Sequence, residues 1–439
     1  MDEPPPTQHG TLTALPNELL ANIFENLNSS SLLALARTCR RIHAISNDHV
    51  YAAFLHGNAA RLLRTLASLP PDERSHRASQ VKTVSWVRTP FQSFLLQCVC
   101  AKEWQDIADA FRGLEVENDP MNKTLSKESH PMNLSSHNFF EFFLLFFPRI
   151  EKLYVWDALQ WDDGEILFAN IAANGQRFTR LHHIKMIGPL KLEEMIRLLH
   201  LPALHTLDLS QVYNGFQNAE AMRHALHSVA SSLEHWTLRN SYLEAENIGA
   251  VLDAMPALRS LSYEHMDENI GTVFPRHAID YDEWLPQLAT ALSSHDGTLE
   301  TLCIHMHDTM FTNELLSKAL PSLKTLDVSP FQLGYDFDED LELYCDKFQG
   351  VLPAQLQTFN VHFRRPPNTE WLGLHFADHF AKAFAAAVAG TSVKEVRVTT
   401  EHNADRRVIE GQPSEEQLTL DMRAMLEVEM ERMGIRLLE

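Results

Sequence analysis

The chain has 439 residues, 45% of them apolar, which allows two or three ordinary domains or one small module followed by an extended repeat array. Its net charge of −21, from 58 acidic side chains against 37 Lys and Arg, opposes attraction to phosphate backbones and anionic lipid. Neither nucleic acid nor a membrane surface is an expected partner, and the longest apolar run, FFEFFLLFFP at 139–148, falls short of the roughly 20 residues that span a bilayer.

Residues 1–11 open MDEPPPTQHG, acidic and proline-rich, and are expected to form a disordered leader rather than a signal peptide. Residues 12–56 predict two short amphipathic helices. Pro16 suits a first helical position, where a missing N–H loses no acceptor, and Glu18 faces the positive end of the helix dipole. Leu19, Leu20, Ile23, Phe24 and Leu27 then recur at three- and four-residue steps, Asn28 to Ser30 supply a turn and a cap, and Leu32, Leu35, Ala36, Cys39 and Ile42 repeat the stripe. Two such stripes bury too little surface to offset chain entropy alone, so they require a surface to pack on.

The order Leu15-Pro16, Glu18, Leu19, Leu20, Ile23, Phe24, Leu27, Ser31-Leu32, Leu35, Cys39, Arg40 and Ile42 resembles an F-box, over about a tenth of the chain. The resemblance implies that Leu15, Pro16, Leu19, Leu20, Ile23, Phe24, Leu27, Leu32, Leu35 and Cys39 meet a Skp-type adaptor, and through it a cullin-RING ubiquitin ligase. The alternative is a helical hairpin packed on its own domain.

Residues 57–148 read as a helical connector. Leu62, Leu63, Leu66 and Leu69 carry helical spacing up to the Pro70-Pro71 pair, the 139–148 run reads as a buried helix, and the apolar-poor stretch 118–137 reads as a mobile loop. Residues 149–439 carry a recurrent L-x-x-L-x-L hexad, starting at Leu204, Leu233, Leu258, Leu299, Leu323, Leu356 and Val393, with weaker copies at Ile150 and Leu181. Helix, proline-marked turn and short strand recur every 23 to 41 residues, which resembles an irregular leucine-rich repeat array. The Asn or Cys that usually follows the strand motif is missing: Val212, Ser241 and His307 stand there in three repeats. A non-repeat α/β domain of alternating helices and strands gives a similar pattern.

The resemblance implies that the residues between the inward leucines line a concave recognition face. Asp208, His235, Arg239, Glu264, His305, Asp327, Asn360 and Arg397 are its candidate target contacts.

No catalytic constellation is expected. Cys303, His305 and His307 alternate along one strand face, but no fourth ligand is spaced to complete a metal site. His375 and His379 stand four apart with Phe376 where a zinc-protease helix needs Glu, and Asp336, Asp338 and Asp340 lack the Gly and Glu of an EF-hand loop. Walker, G-x-G-x-x-G and G-x-S-x-G motifs are absent from the sequence. The five cysteines form no C-x-x-C pair, so neither a disulfide framework nor a zinc staple is expected, and the compartment is reducing, cytoplasmic or nuclear.

The expectation is therefore an α/β chain: a small all-α F-box module, a helical connector, and an irregular leucine-rich-repeat-like solenoid of alternating helices and short parallel strands. It implies a substrate-recognition adaptor without cofactor, metal or catalytic residues. The alternatives are a non-degradative F-box scaffold and, further off, an enzyme on an α/β domain.

Overall fold

The computed structural model describes residues 12, 15–25, 27, 29–55, 59–88, 101–112, 136–157, 168–214, 218–227, 229–266, 281–306, 320–328, 352–363, 381–400 (save 383, 386, 387 and 390) and 415–438. The chain divides into two compact units, one of residues 1–158 and 162–185, the other of 159–161 and 186–439.

The first unit opens with three helices rather than two: α1 (Asn17–Glu25), α2 (Ser29–Ala36) and α3 (Arg40–Ala52). The expected second helix is broken because Cys39 adopts extended backbone and caps α3, its Sγ accepting from the Ile42 N–H at 3.5 Å. The Arg41 guanidinium donates to the Leu15 carbonyl at 2.7 Å and to Asn17 Oδ1 at 2.8 Å, pinning α3 to the start of α1. With this third helix present, Leu20, Phe24, Leu32 and Ile42 close a small core, all 4% exposed or less, and Leu12, Leu15, Leu27, Leu35, Cys39 and Ile45 pack around it. The cluster draws on both predicted stripes, with Ile42 carried by α3 rather than by the second helix.

The chain then runs β1 (Ala53–Leu55), α4 (Ala59–Ala67), α5 (Pro71–Gln80), β2 (Thr83–Arg88), α6 (Ala101–Arg112), α7 (Ser136–Leu145) and β3 (Lys152–Asp157). Pro71 starts α5 at its first position, with Asp72 and Glu73 in the first turn, as the dipole favours. Two strands stand in stretches read as helix: β1 pairs parallel with β2, and β2 with β3. The short VSWV alternation of β2 buries Val84 and Trp86, a period too brief to outweigh the helical signals on either side. Of the 139–148 run, residues up to Leu145 form buried helix and 146–148 leave it, with Phe142 against Phe111 at 4.4 Å between ring centroids and Phe143 against Phe54 at 4.9 Å. The 118–135 part of the expected mobile loop lies outside the described residues.

β4 (His183–Lys191) runs from the first unit into the second, which continues β5 (Thr206–Tyr213), α8 (Ala219–Leu226), β6 (His235–Ser241), α9 (Ala245–Leu252), β7 (Ser260–His265), α10 (Tyr281–Leu292), β8 (Thr301–His305), β9 (Thr325–Val328), β10 (Thr358–Phe363), β11 (Glu395–Thr400), α11 (Glu415–Arg432) and β12 (Arg436–Leu438). From β5 to β12 each strand pairs parallel with the next. Every hexad yields a strand that begins two residues after the hexad does. Their apolar positions stack in register, Leu207, Trp236, Leu261, Leu302, Leu326, Phe359 and Val396 all 0% exposed, while intervening residues face the other side. Parallel strands need crossover connections, and α8, α9 and α10 supply them here.

Ser241, where the repeat pattern favours Asn or Cys, is fully buried. Its Oγ accepts from the Val212 N–H at 3.1 Å and donates to the Arg239 carbonyl at 2.9 Å, so a hydroxyl satisfies the turn between strands. Asn240, at φ +46, occupies the left-handed region that its short polar side chain tolerates. The Trp284 indole of α10 donates to the Leu243 carbonyl at 2.8 Å and stacks near Tyr263, whose hydroxyl donates to the Ser241 carbonyl at 3.1 Å. This buried polar chain fixes α10 against the turn that follows β6 and against β7 itself.

Candidate functional site

Two surfaces stand out, one on each unit. On the first, the structure separates the ten residues expected to meet an adaptor. Leu20, Phe24 and Leu32 are buried in the module's own core; Leu15, Leu27, Leu35 and Cys39 are half-buried around it. Pro16, Leu19 and Ile23 are exposed, Leu19 at 49% and Ile23 at 37%. Leu19 and Ile23, four apart on α1, lie on one helix face, with Pro16 one turn before them. Among the described residues, only four large hydrophobic side chains are so exposed, and two of them are this pair. Leu19 and Ile23 thus form a small apolar patch in water beside the module's core.

Residues 12–54 match the F-box-like family model. The match includes the helix, α1, that carries the exposed pair. No curated protein sequence matches the chain. Among solved structures, a D-psicose 3-epimerase in the presence of D-fructose is 11% identical at a TM-score of 0.23, over 84% of this chain and 95% of that one. A leucine-rich-repeat protein of Leptospira interrogans is 10% identical at a TM-score of 0.28, over 87% and 98%. At such scores neither likeness carries an argument, and the repeat architecture rests on the strand register of the chain itself. The chain therefore carries an F-box-like module followed by parallel repeats, an arrangement suited to protein interaction.

The second surface is the polar face of the sheet in the second unit. Asp208, Thr237, Ser262, Cys303, Asp327, Asn360 and Arg397 form one in-register row across seven strands. Glu264 and His305 pair in the next row, His235 lies one row before, and Arg239 sits opposite Ser210. All eight expected target contacts thus lie on one face. His235, Arg239 and Arg397 are exposed, and the other five are half-buried. The Arg239 guanidinium reaches Asp208 at 3.7 Å.

Three groups of this face converge. His305 Nε2 lies 2.9 Å from Asp327 Oδ1 and 3.7 Å from Cys303 Sγ. Burial alone lowers the His305 pKa, but the bonds with Asp327 and Cys303 outweigh it and raise it to about 10. The Asn360 amide donates to the other Asp327 oxygen at 3.4 Å. His307, the third member of the strand alternation in the sequence, lies outside the described residues, as do His375, His379, Asp336, Asp338 and Asp340. The sequence analysis placed Asp327 on this face without joining it to Cys303 and His305; the β8–β9 register sets it beside Cys303.

Proposed function

We propose that the protein is the substrate-recognition subunit of a Skp-cullin-F-box ubiquitin ligase. The F-box-like module docks a Skp-type adaptor, and the polar sheet face holds a target protein. The observation that carries this reading is the exposed Leu19 and Ile23 pair on a module whose core is already complete, within the residues that match the F-box-like family. Apolar area left in water beside a closed core gains free energy only when a partner covers it.

In this reading the protein acts by proximity rather than by chemistry of its own. Holding a target lysine near a charged conjugating enzyme turns a second-order encounter into a near-intramolecular one, and no group of this chain need touch the reacting carbonyl. The mixed polar face, with Arg239, His235 and Arg397 exposed beside half-buried carboxylates, suits a target of alternating charge. The compartment is the cytoplasm or nucleus, where the adaptor and ligase core meet a reducing milieu.

Co-expression with a Skp-type adaptor tests the reading. A one-to-one complex by size exclusion, lost in Ile23→Glu while the chain stays folded, is the expected result. A folded wild-type chain that forms no complex overturns it. Ubiquitination of a captured protein in the reconstituted ligase then separates a degradative receptor from a scaffold.

A further inference from the structure

The chemistry-bearing cluster on the polar sheet face is Cys303, His305 and Asp327, whose ligand atoms all lie within 4.8 Å of one another. Cys303 and His305 are two residues apart on β8 and so share a face, and Asp327 is the register partner of Cys303 on β9. As a hydrogen-bond network the arrangement is uneconomical. Sulfur and carboxylate both turn to the same imidazole nitrogen, which offers at most one N–H for the two of them to share.

As a ligand set it is well formed. Zinc bonds of about 2.3 Å to sulfur and about 2.0–2.2 Å to nitrogen and oxygen, at tetrahedral angles, place ligand atoms about 3.3–3.6 Å apart. The two separations from His305 Nε2, 2.9 Å and 3.7 Å, bracket that range, and the third, between sulfur and carboxylate, is within 4.8 Å. Asn360, the register partner of Asp327 on β10, donates to Asp327 Oδ2 and leaves Oδ1 for the ion, the outer-shell support that metal-bound carboxylates carry. The Asn360 Oδ1 atom is itself buried without a partner, so this corner of the face holds polar capacity beyond the bonds it makes. The side chains of His305 and Asp327 are 14% and 27% exposed, so the site is shielded yet reachable from solvent.

We propose that Cys303 Sγ, His305 Nε2 and Asp327 Oδ1 bind a zinc-type transition-metal cation on the polar face of β8 and β9, with one coordination position left open. The mixed sulfur, nitrogen and oxygen set selects against magnesium and calcium, which take oxygen ligands, and suits a borderline cation. Three protein ligands leave the fourth tetrahedral position to water or to a donor atom of a bound protein. The site is independent of the F-box-like module, and its test needs no ligase component.

The experiment uses the purified full-length chain, stripped with chelator and titrated with Zn²⁺ by calorimetry and with Co²⁺ by absorbance. One ion per chain is expected, with a thiolate-to-cobalt charge-transfer band. Both should disappear in Cys303→Ser, and the affinity should fall by roughly tenfold or more in Asp327→Asn and in Asn360→Ala. A folded wild-type chain that binds neither ion overturns the proposal, and so does a stoichiometry or band unchanged in Cys303→Ser, since the ion would then sit on other ligands. Should Cys303→Ser not fold, the wild-type chain decides by itself. Saturating Zn²⁺ is expected to slow alkylation of Cys303, read by peptide mass spectrometry, and an unchanged rate rejects the site.

Discussion

Truncating Leu19 and Ile23 together to alanine should weaken adaptor binding and leave the module folded. Full burial of a Leu or Ile side chain is worth about 1.5–3 kcal/mol, and an interface can bury only what is still exposed. With 49% of Leu19 and 37% of Ile23 in water, the pair can contribute about 2 kcal/mol to docking, which corresponds to a Kd about 30-fold weaker in Leu19→Ala/Ile23→Ala. Phe24 provides the contrast. It is 0% exposed, so Phe24→Ala removes core rather than interface and should cost the module about 3–5 kcal/mol of stability. Calorimetric titration of a purified Skp-type adaptor into each variant, beside thermal unfolding followed by circular dichroism, separates the two effects. A Kd for the double variant within about threefold of wild type, under about 0.7 kcal/mol, would remove the exposed pair from the docking surface. Melting of the module by the double variant would show that the pair belongs to the fold and not to a partner.

The Trp284→Phe substitution leaves the Leu243 carbonyl buried without its donor and opens space at a 2% exposed site, and it should cost about 2–4 kcal/mol in urea unfolding; a shift below about 1 kcal/mol would contradict the buried network. Burial depresses the His295 pKa below its ordinary value, and the Leu252 carbonyl and Asp253 only partly oppose it. Because the unfolded chain then binds the proton more tightly, His295 contributes stability that is present above about pH 6.5 and is lost as pH falls through its lowered folded value. Wild type should therefore lose more of its Tm than His295→Gln between pH 7.5 and pH 5.5, and parallel losses would discard the assignment. The Arg239 side chain, which reaches Asp208, is 53% exposed, so Arg239→Glu should change stability by less than about 1 kcal/mol. The same variant should reduce capture of a target protein and leave adaptor binding intact, as pull-downs with each partner would show; undiminished capture would shift the recognition surface elsewhere.

The hexads predict nine strands, and each lies where its leucines put it, because a two-residue period reports which side of a strand is buried without help from distant residues. The F-box-like helices are legible for the same reason, since a three-to-four step in apolar residues is a local signal. Three features came only with the tertiary structure. The break at Cys39 and the third helix depend on Arg41 reaching back to Leu15 and Asn17, a contact between chain segments that periodicity does not encode. Which of the ten residues expected at an adaptor stay exposed depends on the packing of Leu20, Phe24, Leu32 and Ile42, which buries part of the apolar stripes and leaves Leu19 and Ile23 in water. Strand β2 and the meeting of Asp327 with Cys303 and His305 depend on parallel register across crossovers of 19 residues or more, and register is fixed by packing of whole faces rather than by any local run. The sequence by itself determined which faces are apolar and where the repeats fall, since that information is local. The tertiary structure decided which of those faces are already covered and which side chains from separate strands stand within bonding distance, since both depend on how distant segments pack.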